Sequence, residues 1–353
     1  MRKWLQHISN RTARRLTLLL AAAGVLLLGT AVWLTLSMEE EPATLTTFAM
    51  GSYVQQTVYG SQGEEAAQAA STAVTELENR ISWRVEDSDI ALLNQEAGKD
   101  FQEIGSQTWE ILQTALQVCQ QSGGAFDVTI APLSWLWNFD ENPHLPEADT
   151  IAAFLPQVNW ENVLLGEDNT AALKTSSTAL DLGAVGKGAA CDAAVAVYQE
   201  SGVDRAVVAV GGSIGLWGEK PFGDPWRVAL RDPATDGSLG ELALQGGFVS
   251  TSGSYEKQFE EDGTTYHHIL DPDTGYPAQS GLVSVTVWSS SGVLSDALST
   301  ACFVLGLEDS LPLLEEFASG AVFVTEDNQV YVTENLQDAF SLTAQDYTLA
   351  GTL

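Results

Sequence analysis

The sequence predicts an α+β domain, with mixed, largely antiparallel sheets packed with helices, preceded by one N-terminal transmembrane helix. Strand-like and helix-like segments mix without the strict alternation of a parallel doubly wound sheet. β-branched runs such as residues 203–210 break at glycine pairs. Residues 16–36 (LTLLLAAAGVLLLGTAVWLTL) form one uncharged apolar stretch. The 353-residue length suits one large domain or two intertwined ones. An apolar fraction of 45% with 31 Gly describes an ordered, turn-rich protein and excludes a disordered chain.

The apolar stretch is long enough to cross a bilayer, which needs roughly 20 such residues. Arg2, Lys3, Arg11, Arg14 and Arg15 all precede it, and no acid precedes Glu39. The positive-inside rule therefore places the bulk of the chain outside the cell membrane. A cleaved signal peptide has an apolar region of only about 7–15 residues. No cysteine lies near the end of the stretch, which excludes a lipoprotein anchor. The expected organisation is a cytoplasmic segment (1–15), a single-pass anchor (16–37), a polar linker (38–45) and an extracytoplasmic domain (46–353).

Without the five N-terminal basic residues, 10 Lys and Arg face 47 Asp and Glu, a balance near −37. Such a surface repels phosphate backbones, so nucleic acid is not an expected partner. Cys119, Cys191 and Cys302 stand singly in apolar surroundings with no CxxC pair. They read as small core residues rather than a disulfide framework.

Along the chain, residues 46–59 alternate as a strand or hairpin arm ending at Gly60. Residues 64–80 place Ala66, Ala70, Ala73 and Leu77 at helical spacing. A second helix spans 106–121, with Ser106 as N-cap and Gly123-Gly124 as stop. A third starts at Gly186 and runs through Tyr198. Further strands are expected at 226–230, 247–251, 266–270 and 282–288. A fourth helix covers 293–305, closed by Gly306. Residues 322–324 and 330–332 flank a turn at Asp327-Asn328 as a hairpin.

Several segments suit chemistry. Residues 181–188 (DLGAVGKG) lead into a helix whose free N–H groups favour an anion, with Lys187 adding positive charge. Gly188 after the lysine rules out a Walker A loop, and a plain glycine turn fits the same residues. Asp296 and Thr300 stand four apart, hence on one helix face, and oxygen ligands of this kind suit Mg²⁺. An acid facing water near a helix start is the alternative. In 266–275 (YHHILDPDTG), strand alternation puts His267 and His268 on opposite faces, so at most one points into a given site. That one suits a general base, or either histidine merely braces the turn. Residues 123–127 (GGAFD) and Trp83 suit ligand contact or ordinary packing.

Taken in order, these segments resemble the FAD:protein FMN transferases, the ApbE family. The matching stretches are MGSYVQQTVYG (50–60), ISWRVEDSDIALLN (81–94) and GGAFDVTIAPLSWLWNF (123–139). DLGAVGKG, VVAVGGSIGLWG (207–218), PWRVALRDP (225–233), STSGSYEKQF (250–259), YHHILDPDTGYP (266–277) and SDALSTACFVLG (295–306) follow. The resemblance covers about residues 50–306 and implies an ApbE-like, T-fold-like architecture. It implies FAD contacts at Met50, Trp83, Ala125, Phe126, Asp127, Asp181, Lys187 and Ile269. It implies a Mg²⁺ site at the Ala184 carbonyl, Asp296 and Thr300, with His268 as base and Lys187 and Asp296 in the catalytic set. Two positions depart: Ala184 where the family often has Gly, and Ser213 where it often has Asp or Asn.

The implied activity is transfer of FMN from FAD to a Thr or Ser hydroxyl of an acceptor protein with an FMN-binding domain, releasing AMP. The acceptors implied are flavin-carrying subunits of membrane electron-transfer systems. Competing readings are a Mg²⁺-dependent FAD pyrophosphatase, a non-catalytic FAD-binding protein, and a metal-binding surface protein.

Overall fold

A computed structural model of the chain describes residues 41–353 and, before them, Gly24 alone. Apart from Gly24, the anchor expected at 16–37 lies outside the described residues. Among the described residues no helix is long and apolar enough to cross a membrane.

The first strands are β1 (Ala43–Ala49) and β2 (Ser52–Tyr59). They form a hairpin whose two turn residues, Met50 and Gly51, have φ of 54° and 66°. Positive φ at both central residues matches the twist of a two-residue hairpin. The single arm expected over 46–59 is thus two strands, because Met50 takes a conformation usually left to Gly or Asn. β1 also begins inside the stretch read as linker.

The next elements are α1 (Gly63–Ile81), α2 (Asp89–Gln95), β3 (Gln102–Glu103) and α3 (Ser106–Gln121). Ser106 is the first helical residue rather than the cap: Gly105 holds the cap position, and no side chain caps α3. Asp89 braces this end instead, accepting from the Gly105 N–H and the Thr108 hydroxyl. Then come α4 (Ala131–Trp137), α5 (Ala148–Phe154), β4 (Val163–Leu165) and β5 (Thr170–Leu173).

Helix α6 (Gly183–Glu200) starts three residues before the expected Gly186, and β6 (Arg205–Val210) follows. β7 (Ser213–Trp217), β8 (Trp226–Arg231), β9 (Ser238–Leu244) and β10 (Gly247–Gly253) come next. β11 (Gln258–Glu261) and β12 (Thr264–His267) make a small hairpin. The strand expected over 266–270 therefore ends at His267. After it the His268 N–H donates to the Lys257 carbonyl, and Leu270 bridges to Pro277. The last elements are β13 (Leu282–Ser289), α7 (Gly292–Leu305), α8 (Ser310–Glu316), β14 (Gly320–Thr325), β15 (Gln329–Val332), β16 (Phe340–Leu342) and β17 (Thr348–Thr352).

Nine strands form the main sheet in the order β1-β2-β6-β7-β10-β13-β14-β15-β17. Every neighbouring pair is antiparallel except β15–β17. Helices α1, α6 and α7 cover one face of it through the largest apolar core. The small sheet β16-β9-β8 covers the other through a second core that includes Leu216, Val249, Val322 and Val324. This is the expected mixed, largely antiparallel α+β architecture. All three cysteines are buried and free, and burial pushes the Cys302 thiol up to about 12.

Candidate functional site

The site begins where α6 crosses α7. A Cβ built on Gly188 would lie 2.0 Å from the Gly292 carbonyl oxygen, and one on Gly292 equally close to that of Gly188. No side chain fits between the two backbones. The contact lets the Gly188 N–H donate to Asp296 Oδ2 at 2.5 Å. Ser213, the first residue of β7, donates its hydroxyl to the other oxygen, Oδ1, also at 2.5 Å. Asp296 is only 5% exposed, which excludes an acid turned to water.

Asp192, one helical turn beyond Gly188, fastens the same crossing. Its carboxylate accepts from the Gly292 and Val293 N–H groups at 2.8 and 2.9 Å, two donors that a helix start leaves without internal partners. Burial raises the Asp192 pKa to about 6, the two N–H bonds oppose the rise, and the charge of Asp296 adds to it.

A seam of hydroxyls joins α7 to β10. Ser250 meets Ser295 at 2.8 Å, and Ser252 meets Ser299 at 2.8 Å and Thr300 at 3.1 Å. Thr300 thus shares a helix face with Asp296 as expected, at the rim of the seam. Ala184 lies exposed in the first turn of α6.

Lys187 extends from the second turn of α6. Its stem passes the β6–β7 turn, where a Cβ on Gly211 would be 3.2 Å from Lys187 Cδ. Its charge reaches His268. The His268 pKa is lowered to about 4, first by burial, then by the charges of Lys257, Lys187 and His267. His268 Nδ1 is buried with no hydrogen-bond partner. His267 points elsewhere: its Nε2 meets the Ala278 carbonyl, and its ring stands edge-on to Phe303.

Lys257 connects this group to a second one. It pairs with Asp140 at 2.5 Å, and Arg84 pairs with the same carboxylate at 2.6 Å. Burial works to raise the Asp140 pKa, but the two cations outweigh it and hold it below the usual carboxylate range. The Arg84 guanidinium also sits 4.2 Å from the centroid of the Trp83 ring, on which Trp135 leans. A ring stacking on Trp83 would have to displace Arg84 or use the opposite face. Asp181 feels Arg84, Asp140 and Lys257, and burial raises its pKa against a bond from the Gly183 N–H.

The remaining predicted residues line the edges. Met50 Sδ lies 3.8 Å from the position a Cβ on Gly186 would take. Asp127 is a loop brace: it accepts from the Thr129 N–H and hydroxyl and from the Trp160 N–H. Phe126 and Ile269 are enclosed in the main core, so a ligand would meet them only through backbone. Ala125 is half-buried beside them.

The ApbE family model matches residues 50–324. The chain belongs to the ApbE family. It is similar to the FAD:protein FMN transferase of Treponema pallidum (strain Nichols), with 34% identity covering 76% of this chain and 79% of that protein. It is similar to the protein of the same name from Vibrio cholerae, at 32% identity over 68% and 73%. Among solved structures, the ApbE protein of Thermotoga maritima aligns with a TM-score of 0.79 and 29% identity, covering 84% of this chain and 99% of that one. Flavin transferase ApbE of V. cholerae aligns at 0.77 with 25% identity, covering 85% and 99%.

Sequence reading missed three residues of this cluster, Arg84, Lys257 and Asp192, and named Ser213 only as a departure from the family pattern. The signal for the cations was available. Few positive charges follow residue 15 in so acidic a chain, and Arg84, Lys187 and Lys257 all act on this one region.

Proposed function

We propose that this chain is a Mg²⁺-dependent transferase that moves FMN from FAD to a Ser or Thr hydroxyl of an acceptor protein. The supporting observation is that, in a strongly acidic chain, Lys187 and Lys257 both act on a neutral histidine, Asp140 joins Lys257 to Arg84, and the residue after Lys187 donates its N–H to the buried Asp296. Membership of the ApbE family, and the printed names of its relatives, give that arrangement its chemistry.

The donor set fits a hard cation. Asp296, the Thr300 hydroxyl and the Ala184 carbonyl are all oxygen ligands. Each Asp296 oxygen accepts one hydrogen bond from protein and keeps lone-pair capacity for a metal. In a regular helix the Gly188 N–H belongs to the Ala184 carbonyl. Its donation to Asp296 competes for that bond, which favours a free carbonyl at the exposed Ala184. Among the described residues no cluster of three His, Cys, Asp or Glu side chains could hold a metal, which leaves this mixed oxygen set as the candidate. Mg²⁺ there would neutralise charge developing on the pyrophosphate.

The chain's own residues supply the rest. Lys187 and Lys257 attract the pyrophosphate and balance its charge. His268, unprotonated near neutral pH, takes the proton of the acceptor hydroxyl. The hydroxyl oxygen bonds to the FMN-side phosphorus, the bridging P–O bond breaks, and AMP leaves with the electron pair. Asp181 and Trp83 border the space for the flavin and adenine ends. The apolar segment 16–36 anchors the protein, with the catalytic domain on the extracytoplasmic side where membrane flavoproteins are met.

The test is incubation of the protein with FAD, Mg²⁺ and an FMN-binding acceptor domain. Covalent flavin fluorescence on the denatured acceptor, with AMP released in equal amount, is the expected result. Free FMN with AMP would identify a hydrolase, and retained FAD without AMP a binding protein. Fractionation of cells would test the anchor, and full-length chain in the soluble fraction would count against it.

A further inference from the structure

We infer that Ser213 is a positioning residue that fixes the Asp296 carboxylate for the metal; this rests on the reading of Asp296 as a Mg²⁺ ligand. Ser213 is 1% exposed and follows the Gly211-Gly212 turn at the start of β7. Its backbone pairs with Val210 of β6 on one side and with Ser250 of β10 on the other. The hydroxyl therefore projects from a central strand clamped by both neighbours, a rigid mount of the kind that holds a ligand to a fraction of an ångström.

In the 2.5 Å contact the Ser213 hydroxyl donates and the Asp296 carboxylate oxygen accepts. The Gly188 N–H holds the other oxygen from the opposite element. Between them Asp296 is gripped at both oxygens by two elements that are remote in sequence. With its Oδ1 bond removed, the carboxylate would pivot about the single Gly188 contact. A serine here also adds no charge. Its hydroxyl dipole turns its positive end toward the carboxylate it orients. Outer partners of this type commonly set metal affinity by about 10–100-fold.

The experiment follows Mn²⁺, as a probe for Mg²⁺, by its free-ion electron paramagnetic resonance signal. The full-length protein is titrated in the presence of FAD and without acceptor. Ser213→Ala should weaken Mn²⁺ binding about tenfold, the lower end for an outer partner. FAD binding measured in EDTA should stay unchanged. Ser213→Thr, which keeps the hydroxyl, should stay within a few-fold of the parent, and a single cooperative unfolding transition in denaturant for both variants checks that they fold. Asp296→Asn is the arm that separates the two ideas. Parent-like Mn²⁺ binding by Asp296→Asn would remove the metal reading itself. Loss of binding in Asp296→Asn alongside parent-like affinity in Ser213→Ala would overturn only the positioning role. Equal weakening by Ser213→Ala and Ser213→Thr would also overturn it, since the hydroxyl would then not matter.

Discussion

Gly188 and Gly292 bring the backbones of α6 and α7 so close that a Cβ on either would stand 2.0 Å from the other's carbonyl oxygen. Asp296 receives its N–H bond because of that approach. Gly188→Ala should therefore push the helices apart and break the 2.5 Å bond together. Overpacking of this kind costs about 1–3 kcal/mol, and the unpaired buried carboxylate oxygen adds to it. Gly186, two residues earlier, is the internal comparison. A Cβ there would meet nothing nearer than 3.8 Å, so Gly186→Ala should be neutral or stabilise by up to about 1 kcal/mol through helix propensity. Unfolding midpoints in denaturant decide it, and equal behaviour of the two variants would contradict the crossing.

Asp296→Ala should abolish transfer at any Mg²⁺ concentration. It also strands the Gly188 N–H and the Ser213 hydroxyl without their acceptor, at about 1–3 kcal/mol for each unsatisfied group. Turnover measured up to tens of millimolar Mg²⁺ on folded variant is the check. Normal rates would remove the residue from the site.

Much of this was legible in the sequence, and what was hidden had a physical reason. The helix carrying Asp296 and Thr300 could be read from its apolar spacing and Gly306, and the pair's shared face followed from the count of four. The Asp327-Asn328 turn was equally plain, and Asn328 has a φ of 61°. The partners of Asp296 were not. Gly188 contributes a backbone N–H, which no residue pattern encodes, and Ser213 lies 83 positions away across a sheet pairing. Met50 hid a turn because a methionine seldom takes positive φ. The Arg84–Asp140–Lys257 bridge depends on three loops meeting, and local periodicity carries no record of that.

Lys187→Met should reduce transfer by about 100-fold or more, the effect of removing one preorganised charge-stabilising group. The same change takes away a cation that lowers the His268 pKa, so the acidic limb of the pH–rate profile should move to higher pH. Both effects are read from kcat/KM across pH. A lowered rate with an unmoved acidic limb would separate Lys187 from His268.

Stability against pH tests the burial of His268 directly. The ring's pKa is about 4 in the folded chain against an ordinary 6.5. On acidification the unfolded chain takes up the proton first, so the stability tied to the neutral ring is full above pH 6.5. It is lost as pH falls toward about 4 and amounts to on the order of 3 kcal/mol. Asp192 acts in the opposite sense. Its pKa is raised from 3.8 to about 6, so its contribution is full below 3.8 and is lost as pH rises through about 6. The two oppose each other across nearly one window, and the parent alone would show little net slope from them. His268→Gln removes one of the pair. Relative to the parent it should gain stability steadily between pH 7 and pH 4.5 in denaturant unfolding. A constant difference over that range would mean that the ring titrates alike in the folded and unfolded chain, as one open to water would.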